Sequence, residues 1–357
     1  MKTYLITGGA GFIGCNFIKL LLKKYNDIKI ICLDKLTYAG NLENLSDELN
    51  DNRFTFVRGD ITDQEIVQNI FKENINYVIN FAAESHVDRS ITDPQIFLKT
   101  NILGTQNLLN VTKTMWETSE DVYKDDVKFI QISTDEVYGS LNETGSFTEK
   151  SCLNPCNPYS AAKASADLLV NAYINTYKFP AIITRCSNNY GPYQFPEKLI
   201  PLVINNILNK KNIPVYGDGS NIRDWVHVND HCNAIDIIIN KGTLGQVYNI
   251  GGDSEVTNLE LVKTIIDEIK ENTNAQPDYS LIKFIKDRKG HDKRYSINFS
   301  KIKSELNWTP EIDFDKGIKS TIKWYLDNNN WIKNIISKDY QEYYEKHYGG
   351  KLWKELF

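Results

Sequence analysis

The chain has 357 residues, 41% of them hydrophobic and 24% charged, with a formal net charge of −5. This is the composition of a globular protein with room for a large core. It lacks the basic excess expected of a nucleic-acid binder, and no apolar run approaches the ~20 residues that span a membrane.

Met1-Lys2-Thr3 runs straight into Tyr4–Thr7, which reads as a strand rather than a signal peptide. The six cysteines and five histidines have no metal-ligand spacing. No metal site is therefore expected, the thiols read as free, and the protein as cytoplasmic. "TGGAGFIG" follows the first strand. Gly8, Gly11 and Gly14, with Gly9 as an alternative start, allow a tight turn and close approach to a pyrophosphate. A helix over Phe12–Lys24 would offer its N-terminal N–H groups to the phosphates. The second strand, Ile28–Leu33, ends at Asp34, where an acid accepts the hydroxyls of an adenosine ribose. A carboxylate there repels a 2′-phosphate and points to NAD rather than NADP; Lys35 beside it works in the opposite sense. After a third strand, Phe54–Arg58, Asp60 and Ile61 stand where an adenine can be held. A helix over Asp63–Lys72 leads to a fourth strand, Tyr77–Phe81. Its exit, "FAAES" with Ala82, Ala83 and Ser85, should pass beneath the cofactor.

A long helix, Pro94–Thr118, precedes a fifth strand, Val127–Ile132. That strand runs into Ser133-Thr134-Asp135-Glu136. Adjacent carboxylates repel if both ionise, and a solvated turn is the plain alternative to a functional pair. The next helix, Tyr159–Tyr177, places Tyr159 and Lys163 on one face. An ammonium beside a phenol lowers the phenol's pKa and makes it a usable base. The other Tyr-x-x-x-Lys pair, Tyr25 and Lys29, falls at the opposite end of the sheet. With a sixth strand at Ala181–Thr184, the alternation predicts an α/β fold with a Rossmann-type, doubly wound parallel sheet over residues 1–186. Residues 187–357 change character. Loops rich in Gly, Pro, Asn and aromatics, strands at Ile213–Tyr216 and Val247–Ile250, and helices at Thr257–Lys270 and Phe314–Asn328 predict a smaller mixed α/β lobe packed against the first. His227, Asp230 and His231 read as caps of a following helix, and His86 as structural.

These residues resemble the extended short-chain dehydrogenase/reductase superfamily. Longer stretches, among them "LDKLTYAGNLENL", "FAAESHVDRSI", "ISTDEVYG", "CSNNYGPYQFPEKLIP" and "GDGSNIRDWVHVNDH", are similar to the dTDP-glucose 4,6-dehydratase family, from about residue 2 to beyond residue 330. The resemblance implies a homodimeric hydro-lyase with NAD as cofactor and dTDP-glucose as substrate. It implies that Tyr159 takes the 4-hydroxyl proton while NAD accepts the C4 hydride, with Lys163 supporting Tyr159 and Thr134 bonding the C4 oxygen. Glu136 would remove the C5 proton, Asp135 would protonate the departing 6-hydroxyl, and the hydride would return to C6. Neighbouring carboxylates can share a proton, so one acid and one base would coexist near neutral pH. Ile13, Leu36, Thr37, Thr100 and Asn189 match further cofactor-side positions. Ser85, Asn188, Lys198 and Leu199 match sugar- and phosphate-side positions, and Arg223 and Arg288 would meet the diphosphate. Pro214, Val215, Tyr216 and Asn258 match nucleotide-side positions, as do Asp287, Lys289, Gly290 and His291. Helices Pro94–Thr118 and Tyr159–Tyr177 resemble the pair by which relatives dimerise. Departures from the family pattern are Cys15 and Ala162, both where Ser is common, and Lys289, where Pro is usual. Two alternatives stand beside this reading. One is a 4-epimerase or a dehydratase for another nucleotide, the epimerase lacking the Asp-Glu pair. The other is a catalytically silent NAD-binding scaffold, which would need none of the five catalytic residues.

Overall fold

Short runs such as Tyr77–Asn80, buried throughout, need partners on both edges and cover on both faces. A computed structural model describes residues 1–335; the end of the expected lobe, residues 336–357, lies outside the described residues. Seven parallel strands form the central sheet. From one edge they run Val247–Ile250, Ala181–Cys186, Lys128–Thr134, Tyr77–Asn80, Lys2–Thr7, Ile28–Asp34 and Phe54–Arg58. The order reverses direction between the first and fourth strands in the chain, which opens a crevice at their carboxyl ends.

One face is covered by helices Phe12–Lys24 and Val228–Lys241, whose Phe17, Leu21, Ile235 and Ile238 share a core with Ile6, Ile30 and Ile130. On the other face Val67, Leu108, Leu109 and Val170 pack on Leu5, Val78 and Phe129. A third core lies in the lobe, where helices Leu199–Leu208, Asn258–Asn272 and Phe314–Asp327 enclose Val215 and Trp225. Two small sheets complete the lobe: Glu255–Thr257, Ile222–His227 and Asn188–Tyr190, and the parallel pair Ile213–Tyr216 and Ile282–Ile285. Among the described residues no helix is long and apolar enough to cross a membrane.

Two elements differ from expectation. Val247–Ile250 belongs to the central sheet, paired with Ala181–Cys186, instead of to the lobe. Its Tyr248 and Ile250 are fully buried there and complete the core of the first helix. The helix expected over Pro94–Thr118 is built in pieces: an α turn Pro94–Phe97, a π segment Leu98–Gly104 and an α-helix Thr105–Trp116, after which Glu117–Ser119 and Val122–Tyr123 form a hairpin. The wider π turn carries Asn101, whose side chain clasps Glu84: its Oδ1 accepts from the Glu84 N–H at 2.9 Å and its Nδ2 donates to the Glu84 carbonyl at 3.0 Å.

Candidate active site

The first strand ends at Thr7 and the chain turns through Gly8, with φ +68°. A Cβ at Gly8 would lie 2.6 Å from the Ala82 nitrogen, and one at Gly14 would lie 2.4 Å from the Gly8 carbonyl oxygen, so the cradle closes only without side chains. Helix Phe12–Lys24 opens at Gly11 with no side-chain cap and no acid in its first turn, leaving its N–H groups to an anion. Asp34 ends the second strand. Its Oδ2 accepts from the Ala10 N–H at 3.0 Å and its Oδ1 from the Leu36 N–H at 2.7 Å. Burial raises its pKa, and those two amides oppose the rise. Lys35 Nζ lies 2.8 Å from Asp60, an ion pair beside the same cradle.

A cavity of about 310 Å³ follows this cradle. Its wall includes Gly8, Gly11, Phe12, Ile13, Gly14, Asp34, Lys35 and Thr37. Farther along it passes Asp60, Ile61, Ala82, Ala83, Ser85, Thr100 and Asn189, then Thr134, Asp135, Glu136, Tyr159 and Lys163. Leu36, expected among them, does not line it: its side chain packs against the core beneath. The glycine cradle, the free helix terminus and Asp34 fit a dinucleotide.

At the far end of the cavity, strand Lys128–Thr134 gives way to a 3₁₀ turn, Asp135–Tyr138. Thr134 caps that turn. Its Oγ1 accepts from the Glu136 N–H at 3.3 Å and donates to Asp135 Oδ1 at 3.2 Å. Asp135 is 2% exposed, and its Oδ2 has no hydrogen-bond partner among the described residues. Burial, then the neighbouring Glu136 carboxylate, holds the Asp135 carboxyl well above the usual range. Burial also raises Glu136, but Arg288, Arg223 and Lys198 pull it back. The doublet is therefore no solvated turn, and its members are unequal: Asp135 is the more readily protonated.

Pro158 and a capping box between Asn157 and Ser160 start the helix Pro158–Tyr177 so that Tyr159 and Lys163 face the cavity. Lys163 Nζ donates to the Ile132 carbonyl at 2.5 Å. The expected lowering of the Tyr159 pKa is not what the protein alone produces. Burial, then Glu136, Cys186 and Asp135, raise it well above the ordinary phenol value, with only the Thr134 hydroxyl working the other way among the strongest influences. Tyr25 and Lys29 bond Asp236 and Glu73, away from the site.

A second cavity of about 250 Å³ extends into the lobe and shares Ser85, Glu136, Asn188, Asn189, Glu197 and Lys198 with the first. Leu199, Pro214, Val215, Tyr216, Arg223, Asn258, Arg288 and His291 line it. Arg223 lies over the Tyr295 ring, and its Nη2 donates to the Asp292 carbonyl at 3.0 Å. Lys198 Nζ donates to the Ser85 carbonyl at 2.9 Å. Three expected substrate residues line neither cavity. Asp287 is turned to His291, 2.6 Å away; Lys289 is exposed; and Gly290 makes the turn against Cys156, with φ +64°. Residues the sequence did not single out include Trp225, Gln194, Asp88 and Glu197. His86 lines the cavity as well as capping the helix Val87–Thr92, with Nε2 3.8 Å from Glu197. Gln194 and Glu197 share the loop before helix Leu199–Leu208, and His86 caps the helix that carries Asp88; they lie inside the family-like stretches, but their residue types alone do not mark them.

A dinucleotide cradle that meets a tyrosine–lysine helix and opens into a lobe-walled cavity defines the extended short-chain dehydrogenase/reductases. The family model described as GDP-mannose 4,6 dehydratase matches residues 5–321. A dTDP-glucose 4,6-dehydratase of Xanthomonas campestris pv. campestris is 47% identical over 345 residues, covering 96% of this chain and 98% of that one. The solved structure of the Bacillus anthracis dTDP-glucose 4,6-dehydratase in complex with NAD is similar with a TM-score of 0.84 and 46% identity, over 94% of this chain and 100% of that one. That of Streptomyces venezuelae, with NAD and dTDP bound, gives a TM-score of 0.87 and 43% identity over 93% and 99%. The chain belongs to the dTDP-glucose 4,6-dehydratase family.

Proposed function

We propose that the protein is an NAD-dependent hydro-lyase that converts dTDP-glucose into dTDP-4-keto-6-deoxyglucose. One observation carries this reading beyond family membership. The carboxyl pair Asp135 and Glu136 has unequal surroundings: both line the first cavity with Tyr159 and Lys163, and Glu136 also lines the second. A 4-epimerase has no use for a second acid and base at that point.

NAD, when bound, serves as the reversible hydride carrier between C4 and C6 of the sugar. Gly8, Gly11, Gly14 and Asp34 would hold it. Tyr159 takes the 4-hydroxyl proton and Lys163 stabilises the phenolate that does so, while Thr134 bonds the C4 oxygen. The 4-ketone acidifies C5. Glu136, kept more anionic by the three cations around it, takes the C5 proton. Asp135, the more readily protonated of the two, gives its proton to the 6-hydroxyl as the C6–O bond breaks, and water leaves. Glu136 returns its proton to C5, and the proton gained by Tyr159 replaces, through solvent, the one given up by Asp135, so the net change is loss of one water. Arg223, Arg288 and Lys198 supply the positive charge that a diphosphate needs. Residues 1–186 carry the cofactor and catalytic groups in this reading, and most of the nucleotide-sugar contacts fall in 187–357.

Leu98, Leu103 and Leu168 are 47%, 58% and 58% exposed on the two long helical segments. These apolar side chains support a homodimer formed through that face. A cytoplasmic location agrees with the exposed thiols Cys152 and Cys156.

The test is incubation with dTDP-glucose, UDP-glucose and GDP-mannose, with products weighed by mass spectrometry. A product one water lighter from dTDP-glucose is expected. An epimerised sugar of unchanged mass, or NADP as the main nucleotide released on denaturation, would sink the reading.

A further inference from the structure

The helix that carries Tyr159 and Lys163 carries a third buried polar residue at the same spacing. Asp167 lies one turn beyond Lys163 and is 0% exposed. It lines neither cavity, and no step above uses it. Its Oδ2 accepts a hydrogen bond from Arg185 Nε at 2.8 Å. Arg185 Nη1 donates to the Tyr138 hydroxyl at 2.9 Å, which donates to Asn249 Oδ1 at 2.8 Å. Its Oδ1 has no hydrogen-bond partner among the described residues, and burial raises its pKa, opposed first by Arg185 and then by Lys163, one turn back on the same helix.

Lys163 needs such a neighbour. Burial pushes it towards the neutral amine, and the groups that oppose this are Asp167 first and the Cys186 thiol second. The Ile132 carbonyl orients its Nζ but brings no full charge. Tyr159, in turn, is pushed towards the neutral phenol by burial and by Glu136, Cys186 and Asp135. An uncharged Lys163 would leave the phenolate with little to stabilise it.

We infer that Asp167 is a positioning residue for the reaction: from behind the site it keeps Lys163 protonated and in place, so that Lys163 can stabilise the Tyr159 phenolate. The inference rests on the functional reading above. Arg185 holds the Asp167 carboxylate in orientation and shares its charge. The chain of influence runs from Arg185 through Asp167 and Lys163 to Tyr159, with only the last two at the cavity.

Single-turnover formation of bound NADH from dTDP-glucose, followed by near-ultraviolet absorbance across pH, reads the ionisation of Tyr159 and Lys163. In Asp167→Asn the alkaline limit of this step moves down by about one pH unit, a loss of about tenfold in rate at a fixed alkaline pH. Asp167→Glu keeps the charge and restores the limit. Arg185→Gln breaks the same ion pair but keeps the carboxylate, so stability falls while the alkaline limit stays or rises. If Asp167→Asn fails to fold because Arg185 is left unpaired, the double variant with Arg185→Gln removes both charges, and its alkaline limit must lie below that of Arg185→Gln alone. A second readout needs no turnover. Only a neutral amine is reductively methylated, so modification of Lys163, mapped by mass spectrometry on the purified protein, begins at lower pH in Asp167→Asn than in the wild type. An unmoved alkaline limit together with an unmoved methylation onset overturns the inference. A wild-type protein that forms no NADH from dTDP-glucose overturns the functional reading instead, and the methylation onset then decides the coupling of Asp167 to Lys163 alone.

Discussion

Asp135 and Glu136 are neighbours in sequence with different surroundings, and removing each charge separates their roles. Glu136→Gln should lose exchange of the C5 hydrogen with solvent deuterium while still forming bound NADH. Asp135→Asn should keep the exchange and expel water slowly. Each loss should be on the order of 10²–10⁴ in the affected step, the usual worth of a positioned acid or base; full exchange in Glu136→Gln would reverse the assignment. Asp135 also bears on stability. Its folded pKa is raised above the unfolded value, so protonation favours the folded chain, and that contribution is lost as pH rises through the folded pKa. At neutral pH Asp135→Asn should therefore melt higher than the wild type, by about 2–4 °C for each kcal/mol relieved. The gap should close towards about pH 3.9, where the unfolded carboxyl also protonates. A calorimetric Tm that falls at neutral pH would contradict this. Most of this site was legible because its residues sit in contiguous motifs after strands, where backbone direction alone aims them. Trp225, Glu197 and Asp167 were not, because their meaning lies in what other elements bring beside them.

The π segment Leu98–Gly104 is the element that the 3.6-residue period could not reveal. The apolar pattern continues through it, but the wider turn carries Thr100 to the cofactor cavity and Asn101 to Glu84. Gly104 permits this by lying against Ile61: a Cβ there would be 2.5 Å from Ile61 Cδ1. Gly104→Ala should push the segment away from Ile61 at a cost of about 1–3 kcal/mol, with weaker retention of NAD. Measured Tm and bound nucleotide should fall together, and a variant that keeps both would remove this role from the segment. Val247–Ile250 shows a different limit. Its bounds could be read from the sequence but not its partner, because pairing Val247 with Ile183 is a long-range choice made by burial.

Two cavities that share Glu136, Asn188 and Lys198 make one reaction chamber from both parts of the molecule. One wall is built on the central sheet and the other on the lobe; the fold class could be read from strand alternation, whereas the lobe's wall residues, such as Tyr216, Arg223 and Arg288, were legible only through the family resemblance. Assembly belongs to the same scale. The exposed leucines lie on the same helical segments as Tyr159 and Thr100, so a second copy packed there would brace the elements that line the chamber. Leu103→Glu or Leu168→Glu should convert a dimer into monomers, read by light scattering. A wild-type particle of 41.0 kDa at micromolar concentration would rule the dimer out.

The edge strand Val247–Ile250 also imposes a schedule. During synthesis Ala181–Cys186 leaves the ribosome long before its outer partner exists: Cys186 and Val247 are 61 residues apart, which at bacterial and eukaryotic rates amounts to about 3–12 s. Through that interval an apolar strand stands as an open sheet edge, the kind of surface that recruits neighbouring nascent chains. The hazard of misassembly is thus concentrated in one stretch of translation, and slow codons between those strands would prolong it.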